Sequence, residues 1–138
     1  MINIIFAAHG LAATGMKDSV EMVLGENNHF HVLSLTHDDG INHFQAQLTQ
    51  LVNEIREHSA GGILILTDMP AGTPYNVSVQ IALANNDIDV LSGTNFPMVL
   101  TALDQADLPL SELTELVIET GREAINRFIV IDAAEEDF

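Results

Sequence analysis

Two polar side chains stand at the ends of two apolar runs. The first run, residues 2–8, ends at His9-Gly10, and the second run, residues 63–67, ends at Asp68. If the runs are neighbouring parallel strands, their carboxyl ends bring an imidazole beside a carboxylate. A nucleophilic histidine needs at least such a carboxylate partner. The carboxylate fixes the tautomer of the ring and stabilises the positive charge that develops on it.

The loop after the second apolar run has the groups that would hold a phosphoryl group. Gly72 and Thr73 stand at the start of a predicted helix, where backbone amides favour anions, and Thr73 adds a hydroxyl. Gly10 and the helix after it are expected to offer amides on the other side of His9. The chain has neither a GxxxxGKS/T nor a GxGxxG motif. If the chemistry is phosphoryl transfer, the donor is therefore something other than bound ATP.

Apolar runs alternate along the chain with segments of helical periodicity. Strands are predicted at 2–8, 29–35, 63–67, 88–91 and 128–131, and helices at about 14–24, 41–58, 74–85, 98–104 and 112–126. Gly25 is expected to cap the first helix and Ser111 to begin the last one. This alternation favours an α/β fold with one open, doubly wound and mostly parallel sheet, in the strand order 2-1-3-4.

In sheets of this type, ligands bind beyond the carboxyl ends of the strands, at the point where the strand order reverses. With the order 2-1-3-4, this point lies between the strands that end at His9 and Asp68. Adjacent strands are about 4.8 Å apart, so the two side chains could reach hydrogen-bonding distance.

The composition indicates one domain. The chain has 138 residues, of which 47% are hydrophobic and none is Cys. We predict one domain over residues 1–132 and a frayed acidic tail over 133–138. No apolar stretch approaches the roughly 20 residues of a membrane span, and no basic region precedes the first apolar run. We therefore expect a cytoplasmic protein without a signal peptide, a disulfide framework or a thiolate metal site.

The formal net charge is −16, with four Lys and Arg residues against 20 Asp and Glu. Such a surface repels nucleic acids and anionic lipids, so no nucleic-acid partner is predicted. The charge would favour a protein partner with a basic docking patch. An alternative interpretation is that the acidity only keeps the protein soluble.

Five separated stretches resemble one known family. They are Ala8-His9-Gly10, residues 21–25, Asp68 with residues 72–76, residues 95–98 and residues 119–123. In this order they resemble a mannose-family enzyme IIA domain of the bacterial sugar phosphotransferase system. The resemblance extends from Ile2 to about Ile131, which is nearly the whole chain.

The resemblance implies that His9 is the phosphorylated residue and Asp68 its orienting partner. The phosphoryl group would come from a histidine of the phosphocarrier protein HPr and leave to a histidine of an enzyme IIB. It would finally reach a sugar that enters through a membrane permease. The resemblance also implies a homodimer, in which residues 128–131 lie antiparallel on the partner's sheet. We predict a separate enzyme IIB, and neither a cofactor nor a metal.

The chain departs from the family pattern in the loop after Asp68. Ala71 stands where the family usually has Gly, and Thr73 where it usually has Ser. Thr73 keeps the hydroxyl. Ala71 adds a Cβ at a position where a positive φ or a close approach would favour glycine, and Pro70 stiffens the loop.

Two other functions stay open. One is the phosphotransfer subunit of a dihydroxyacetone kinase, and the other is a non-catalytic regulatory or anion-binding module of the same fold. The segment from Gly72 to Asn76 favours the sugar system. The sequence does not specify the sugar, and mannose, fructose, sorbose and N-acetylgalactosamine systems all remain open.

Several other polar residues could contribute to a site, although a structural role is the preferred interpretation of each. A metal site is conceivable for the histidines His29, His31, His37 and His43. Asn95 could line the pocket or form the turn into the next helix. Arg122 could pair with Glu119 or Glu123, or serve a subunit interface. Thr36 could lie at the rim of the site or form a turn.

Overall fold

A computed structural model describes residues 1–131 of the protein. The acidic tail predicted at 133–138 lies outside these residues. Along the chain the elements are β1 (Asn3–His9), α1 (Ala12–Leu24), β2 (Phe30–Leu35), α2 (Ile41–His58), β3 (Ile63–Thr67), α3 (Thr73–Leu83), β4 (Ile88–Leu91), α4 (Phe96–Asp104) and α5 (Leu110–Glu123).

The strands form one parallel sheet in the order β2-β1-β3-β4, which confirms the predicted topology. From β1 the chain moves outward to β2 and then crosses to β3 on the other side. The strand order therefore reverses between β1 and β3. The register pairs His9 with Leu35 and Ala7 with Thr67, so β1 and β3 end at nearly the same level.

Helices cover both faces of the sheet, because β1 and β3 are apolar on both sides. Phe6 and Leu66 belong to a core with residues of α1, α4 and α5. Ile5 and Ile65 belong to a second core with residues of α2 and α3. The two central strands are thus fixed from both faces, which gives their carboxyl ends a rigid position.

Several helix boundaries differ by one to three residues from the sequence prediction, and hydrogen bonds account for two of them. Helix α5 begins at Leu110 with Pro109 as its N-cap, and not at Ser111, because the carbonyl of Pro109 already accepts a hydrogen bond from the N–H of Leu113. Helix α3 ends at Leu83, where Asn85 donates its side-chain amide to the carbonyl of Ile81.

Residues 128–131 form no strand in the single chain. A β-strand needs a hydrogen-bonded neighbour, and this segment pairs with no strand among residues 1–131. Its four apolar side chains are 52–86% exposed. The strand predicted for these residues pairs with the sheet of a second subunit, so it stays a prediction.

Between residues 1 and 131, no helix combines the length and the apolar character that crossing a membrane requires.

Candidate functional site

The structure brings His9 and Asp68 together at the carboxyl edge of the sheet. His9 is the last residue of β1, and Asp68 follows the last residue of β3. Asp68 Oδ2 lies 2.8 Å from His9 Nδ1 and also accepts a hydrogen bond from the backbone N–H of His9 at 3.0 Å. Asp68 Oδ1 accepts from the N–H of Met69 at 3.0 Å. Both carboxylate oxygens are therefore fixed.

This contact determines which ring nitrogen of His9 is available. An ionised carboxylate can only accept hydrogen bonds, so Nδ1 carries the proton and donates it to Asp68. The lone pair of the neutral ring then lies on Nε2. The side chain of His9 is 42% exposed and that of Asp68 is 25% exposed. The pair can therefore present a nucleophilic nitrogen to another protein.

The ionised form of Asp68 is the favoured one. Partial burial acts to raise the pKa of Asp68, but the hydrogen bonds from the backbone and side chain of His9, and the charge of that ring, together lower it. The net result is a pKa below the ordinary value of an aspartate. Asp68 is therefore a carboxylate near neutral pH.

Gly72 lies directly beside the free nitrogen of His9. Its φ is +85°, and a Cβ at this position would lie 3.1 Å from both Cε1 and Nε2 of His9. Helix α3 begins at the next residue, Thr73, and its first turn has backbone N–H groups without intrahelical partners. Since helix N-termini favour anions, this loop provides an environment for negative charge at Nε2.

Gly10 has a different role from the one expected. Its φ is +58°, which turns the chain from β1 into α1, and its N–H donates to the carbonyl of Leu35 at 2.8 Å. The β1–β2 ladder thus continues one residue past His9 and engages the amide that was predicted to contact phosphate. Gly10 shapes the turn at the site and has no N–H group open to a ligand.

The departure at Ala71 does not strain the loop. Among residues 1–131, every residue with a positive φ is a glycine, so Ala71 has an ordinary backbone conformation. The residue in this loop that needs to be glycine is Gly72.

Thr94, which no sequence pattern indicates, holds the loop after β4 against the end of β3. Its backbone N–H and its hydroxyl both donate to the carbonyl of Thr67, at 3.2 and 2.8 Å. The hydroxyl of Thr67 donates in turn to the carbonyl of Leu91 at 2.9 Å. These bonds fix the residue that immediately precedes Asp68. Thr94 stands in a loop and follows no periodic pattern, so the sequence gives little signal for this contact.

Comparison with known proteins identifies the family of this fold and site. Residues 3–118 match the model of the EIIA-man family, described as the PTS system fructose IIA component. The chain belongs to this family. It is 30% identical to the sorbose-specific EIIA component of the PTS system of Lacticaseibacillus casei, over 99% of this chain and 100% of that protein.

Two further relatives support the same assignment. The mannose-specific EIIAB component of Escherichia coli K12 is 31% identical over 90% of this chain, and the match spans 38% of that protein. The crystal structure of the phosphotransferase system component EIIA from Streptococcus agalactiae superposes with a TM-score of 0.81 at 30% identity, covering 92% of this chain and 97% of that chain. The protein is thus an enzyme IIA component of a sugar phosphotransferase system.

Two residues of this enzyme IIA near the site have structural contacts. Asn95 accepts a hydrogen bond from the N–H of Met98 at the start of α4, and its amide donates to the carbonyl of Gly121 at 3.0 Å. It therefore forms the turn into α4, which is the preferred prediction, and ties α4 to α5. Thr36 lies in a turn, where its N–H donates to Asp39 Oδ2.

Arg122 forms no ion pair with Glu119 or Glu123 in the part of the chain that the structure describes, contrary to one expectation. It lines a cleft of about 360 Å³ beside the carboxyl end of β4, together with Tyr75 and Asn95. The pairing failed as a prediction because spacing along a helix permits an ion pair but does not enforce it at an exposed surface.

The remaining histidines do not form a metal centre within residues 1–131, where no group of three or more His, Asp or Glu side chains is arranged to hold an ion. His43 approaches Asp39 at 3.5 Å on the exposed start of α2. His29 and His31 line a separate cleft, far along the strands from His9.

Proposed function

We propose that His9 Nε2 accepts a phosphoryl group from phospho-HPr and passes it to an enzyme IIB. The observation that carries this proposal is the 2.8 Å contact between Asp68 Oδ2 and His9 Nδ1. Because this contact engages one ring nitrogen, the other is left to react beside the open position of Gly72. Membership of the enzyme IIA family supports phosphoryl transfer as the chemistry.

The step exchanges one phosphorus–nitrogen bond for another. The lone pair of His9 Nε2 attacks the phosphorus, and the bond from phosphorus to the ring nitrogen of the HPr histidine breaks. The electron pair of that bond returns to the HPr imidazole. Nδ1 of His9 keeps its proton, and the Asp68 carboxylate balances the positive charge that develops on the ring. In the transfer to enzyme IIB, a ring nitrogen of the enzyme IIB histidine attacks the phosphorus. The bond from phosphorus to His9 Nε2 then breaks, and its electron pair returns to the imidazole of His9.

The loop after Asp68 supplies the electrostatic support for the transferred group. We propose that the N–H groups of the first turn of α3 and the hydroxyl of Thr73 donate to the phosphoryl oxygens. Gly72 leaves the space that these oxygens need next to Nε2. Gly10 contributes by the turn that it makes after β1, since its own N–H is bonded to Leu35.

The partners follow from the direction of phosphoryl flow. We propose HPr as the donor and an enzyme IIB as the acceptor, in keeping with the relative from L. casei, which is named an EIIA component. The net charge of −16 suits donors with a basic docking surface. We propose that this transfer takes place in the cytoplasm.

The sugar need never touch this protein. Relatives that match it are named for different sugars, among them sorbose, mannose and fructose. A shared carrier chemistry with several named sugars is what we expect if sugar specificity lies in the permease.

We also propose a homodimer in which residues 128–131 add an antiparallel strand to the partner's sheet. These residues are Phe128, Ile129, Val130 and Ile131, all exposed in the single chain. The sheet order leaves β4 at an edge, with the N–H and C=O groups on its outer side unpaired by any other strand of the described chain. A strand from a second subunit would satisfy this edge and cover the apolar side chains.

Transfer of labelled phosphate tests the function. Purified enzyme I, HPr and labelled phosphoenolpyruvate are incubated with the wild type, with His9→Gln and with His43→Gln. We expect acid-labile label on the wild type and on His43→Gln, and none on His9→Gln. Label on His9→Gln at the wild-type level, or no label on the wild type, would exclude the proposed carrier function. A dihydroxyacetone kinase subunit would take label from HPr but fail to deliver it to any enzyme IIB.

A further inference from the structure

A second cleft, of about 470 Å³, lies at the amino ends of the strands, opposite to the carboxyl ends where His9 lies. His9 ends β1, whereas Asn3, which lines this cleft, begins the same strand. His29 and His31 line it from β2 and the loop before it, and Leu51, Ile55 and His58 line it from α2. None of the residues that form the site at His9 belongs to this cleft.

The floor of the cleft contains a polar side chain that lacks a partner. Asn3 is only 4% exposed. Its Oδ1 lies 3.1 Å from His31 Nε2, while its Nδ2 is buried and has no hydrogen-bond partner among residues 1–131. Buried amide groups are almost always paired. The missing partner of an NH₂ group is an acceptor oxygen, and the terminal torsion of an asparagine is soft enough to turn that group towards one.

The other polar groups of the cleft also favour an acceptor. Ser59 Oγ accepts from the N–H of Gly61 at 3.3 Å, which leaves its own O–H to donate. The imidazole rings of His29 and His58 also line the cleft, and each ring carries an N–H group that can donate to an acceptor. Burial and the nearby His29 lower the pKa of His31, which favours its neutral form, and an Nε2–H of that form can donate to Asn3 Oδ1.

The charged groups that line the cleft do not favour a doubly charged anion. Its titratable groups are His29, His31, His58 and Glu54, and the Glu54 carboxylate accepts from the amide of Gln50 at 3.0 Å. No Lys or Arg lines it, so a doubly charged phosphate would lack a permanent cation. Leu51 and Ile55 provide an apolar wall that suits a short hydrocarbon chain.

We propose that this cleft is a binding site for a short aliphatic carboxylate. The carboxylate accepts hydrogen bonds from Asn3 Nδ2 and from the imidazoles of His29 and His58, and its hydrocarbon chain lies against Leu51 and Ile55. The site is independent of phosphoryl transfer at His9.

A titration of the full chain by NMR tests the proposal. Butyrate is the probe, butyramide its neutral isostere, and inorganic phosphate the alternative anion. The resonances followed are the side-chain amide of Asn3 and the imidazoles of His29, His31 and His58. We expect saturable shifts with butyrate, and at least about tenfold weaker binding of butyramide and phosphate.

Variants make the result specific. His58→Gln changes an exposed residue at the end of α2 and is expected to weaken butyrate binding by about fivefold or more. Asn3→Leu is expected to abolish it, while His43→Gln, at the other edge of the sheet, should bind as the wild type does. Absence of saturable shifts, equal binding of butyramide or phosphate, or unchanged binding by His58→Gln would overturn the proposal, even if Asn3→Leu fails to fold.

Discussion

Gly72 lies directly against the imidazole of His9, so that a Cβ at Gly72 would stand 3.1 Å from Nε2. The backbone of Gly72 is also in the left-handed region, with φ at +85°. Two independent reasons therefore favour glycine here: the conformation of the turn into α3, and the space beside the nitrogen that would bind phosphorus.

We expect Gly72→Ala to slow phosphoryl transfer to His9 by about tenfold or more, because the methyl group occupies the approach to Nε2. The positive φ should also lower the free energy of unfolding by about 1 kcal/mol. Rates of label transfer from phospho-HPr and denaturant unfolding measure the two effects separately.

Gly25→Ala is the matched control. Gly25 has a similar φ of +77°, but a Cβ there meets no atom within 4 Å. It should lose a similar amount of stability and keep the wild-type transfer rate. If both variants slow transfer equally, the effect comes from general strain and the contact with His9 is unimportant.

We expect Asp68→Asn to reduce the rate of transfer by about a hundredfold or more, because the amide keeps the volume of the carboxylate but not its charge. The fold should persist, as Asp68 is only partly buried. Asp87→Asn, which removes the charge that pairs with Arg56 at the other edge of the sheet, should leave the rate unchanged. A rate for Asp68→Asn equal to that of the wild type would show that Asp68 does not orient His9.

The lowered pKa of Asp68 has a consequence for stability. A carboxyl group with a lower pKa in the folded state than in the unfolded chain stabilises the fold above the unfolded-state pKa. This contribution is lost as the pH falls through the folded-state pKa. The difference in unfolding free energy between wild type and Asp68→Asn should therefore be largest near neutral pH and shrink on acidification below about pH 4. Denaturant unfolding at a series of pH values measures it, and a difference that grows towards acid pH would contradict the assignment.

Charge on the exposed C-terminal segment should dissociate the proposed dimer. In a strand, Phe128 and Val130 lie on the same face, so we expect Phe128→Asp combined with Val130→Asp to give a monomer. Met22→Asp, at a residue of α1 that is 83% exposed, should leave the dimer intact. Analytical ultracentrifugation decides the outcome, and a dimer that survives the double substitution would exclude strand addition by this segment.

Strand pattern and topology rules were sufficient to predict the pair at the centre of the site. His9 and Asp68 end two apolar runs, and the rule for parallel sheets places those ends side by side, as observed. Periodicity was a weaker guide to burial. In α1, Val20, Val23 and Leu24 recur at helical spacing, yet Val23 and Leu24 are exposed, because periodicity does not show whether another element covers a face.

The pattern of the sequence could not predict the contacts that the loops make. The engagement of the Gly10 amide by Leu35 depends on how far the β1–β2 ladder extends, and the approach of Gly72 to His9 depends on the path of an irregular loop. Neither of these contacts produces a periodic pattern in the sequence. The glycine requirement at residue 72, and not at residue 71, became clear only from the backbone angles.

The position of the phosphoryl group on the protein is the most direct test of the proposed chemistry. The wild type is phosphorylated by enzyme I, HPr and phosphoenolpyruvate, and its isotope-labelled imidazoles are followed by nitrogen NMR. We predict one phosphohistidine, at His9, with phosphorus bonded to Nε2 and a proton retained on Nδ1. Phosphorus on Nδ1 of His9, or on any other histidine, would contradict the role that the contact between Asp68 and His9 implies.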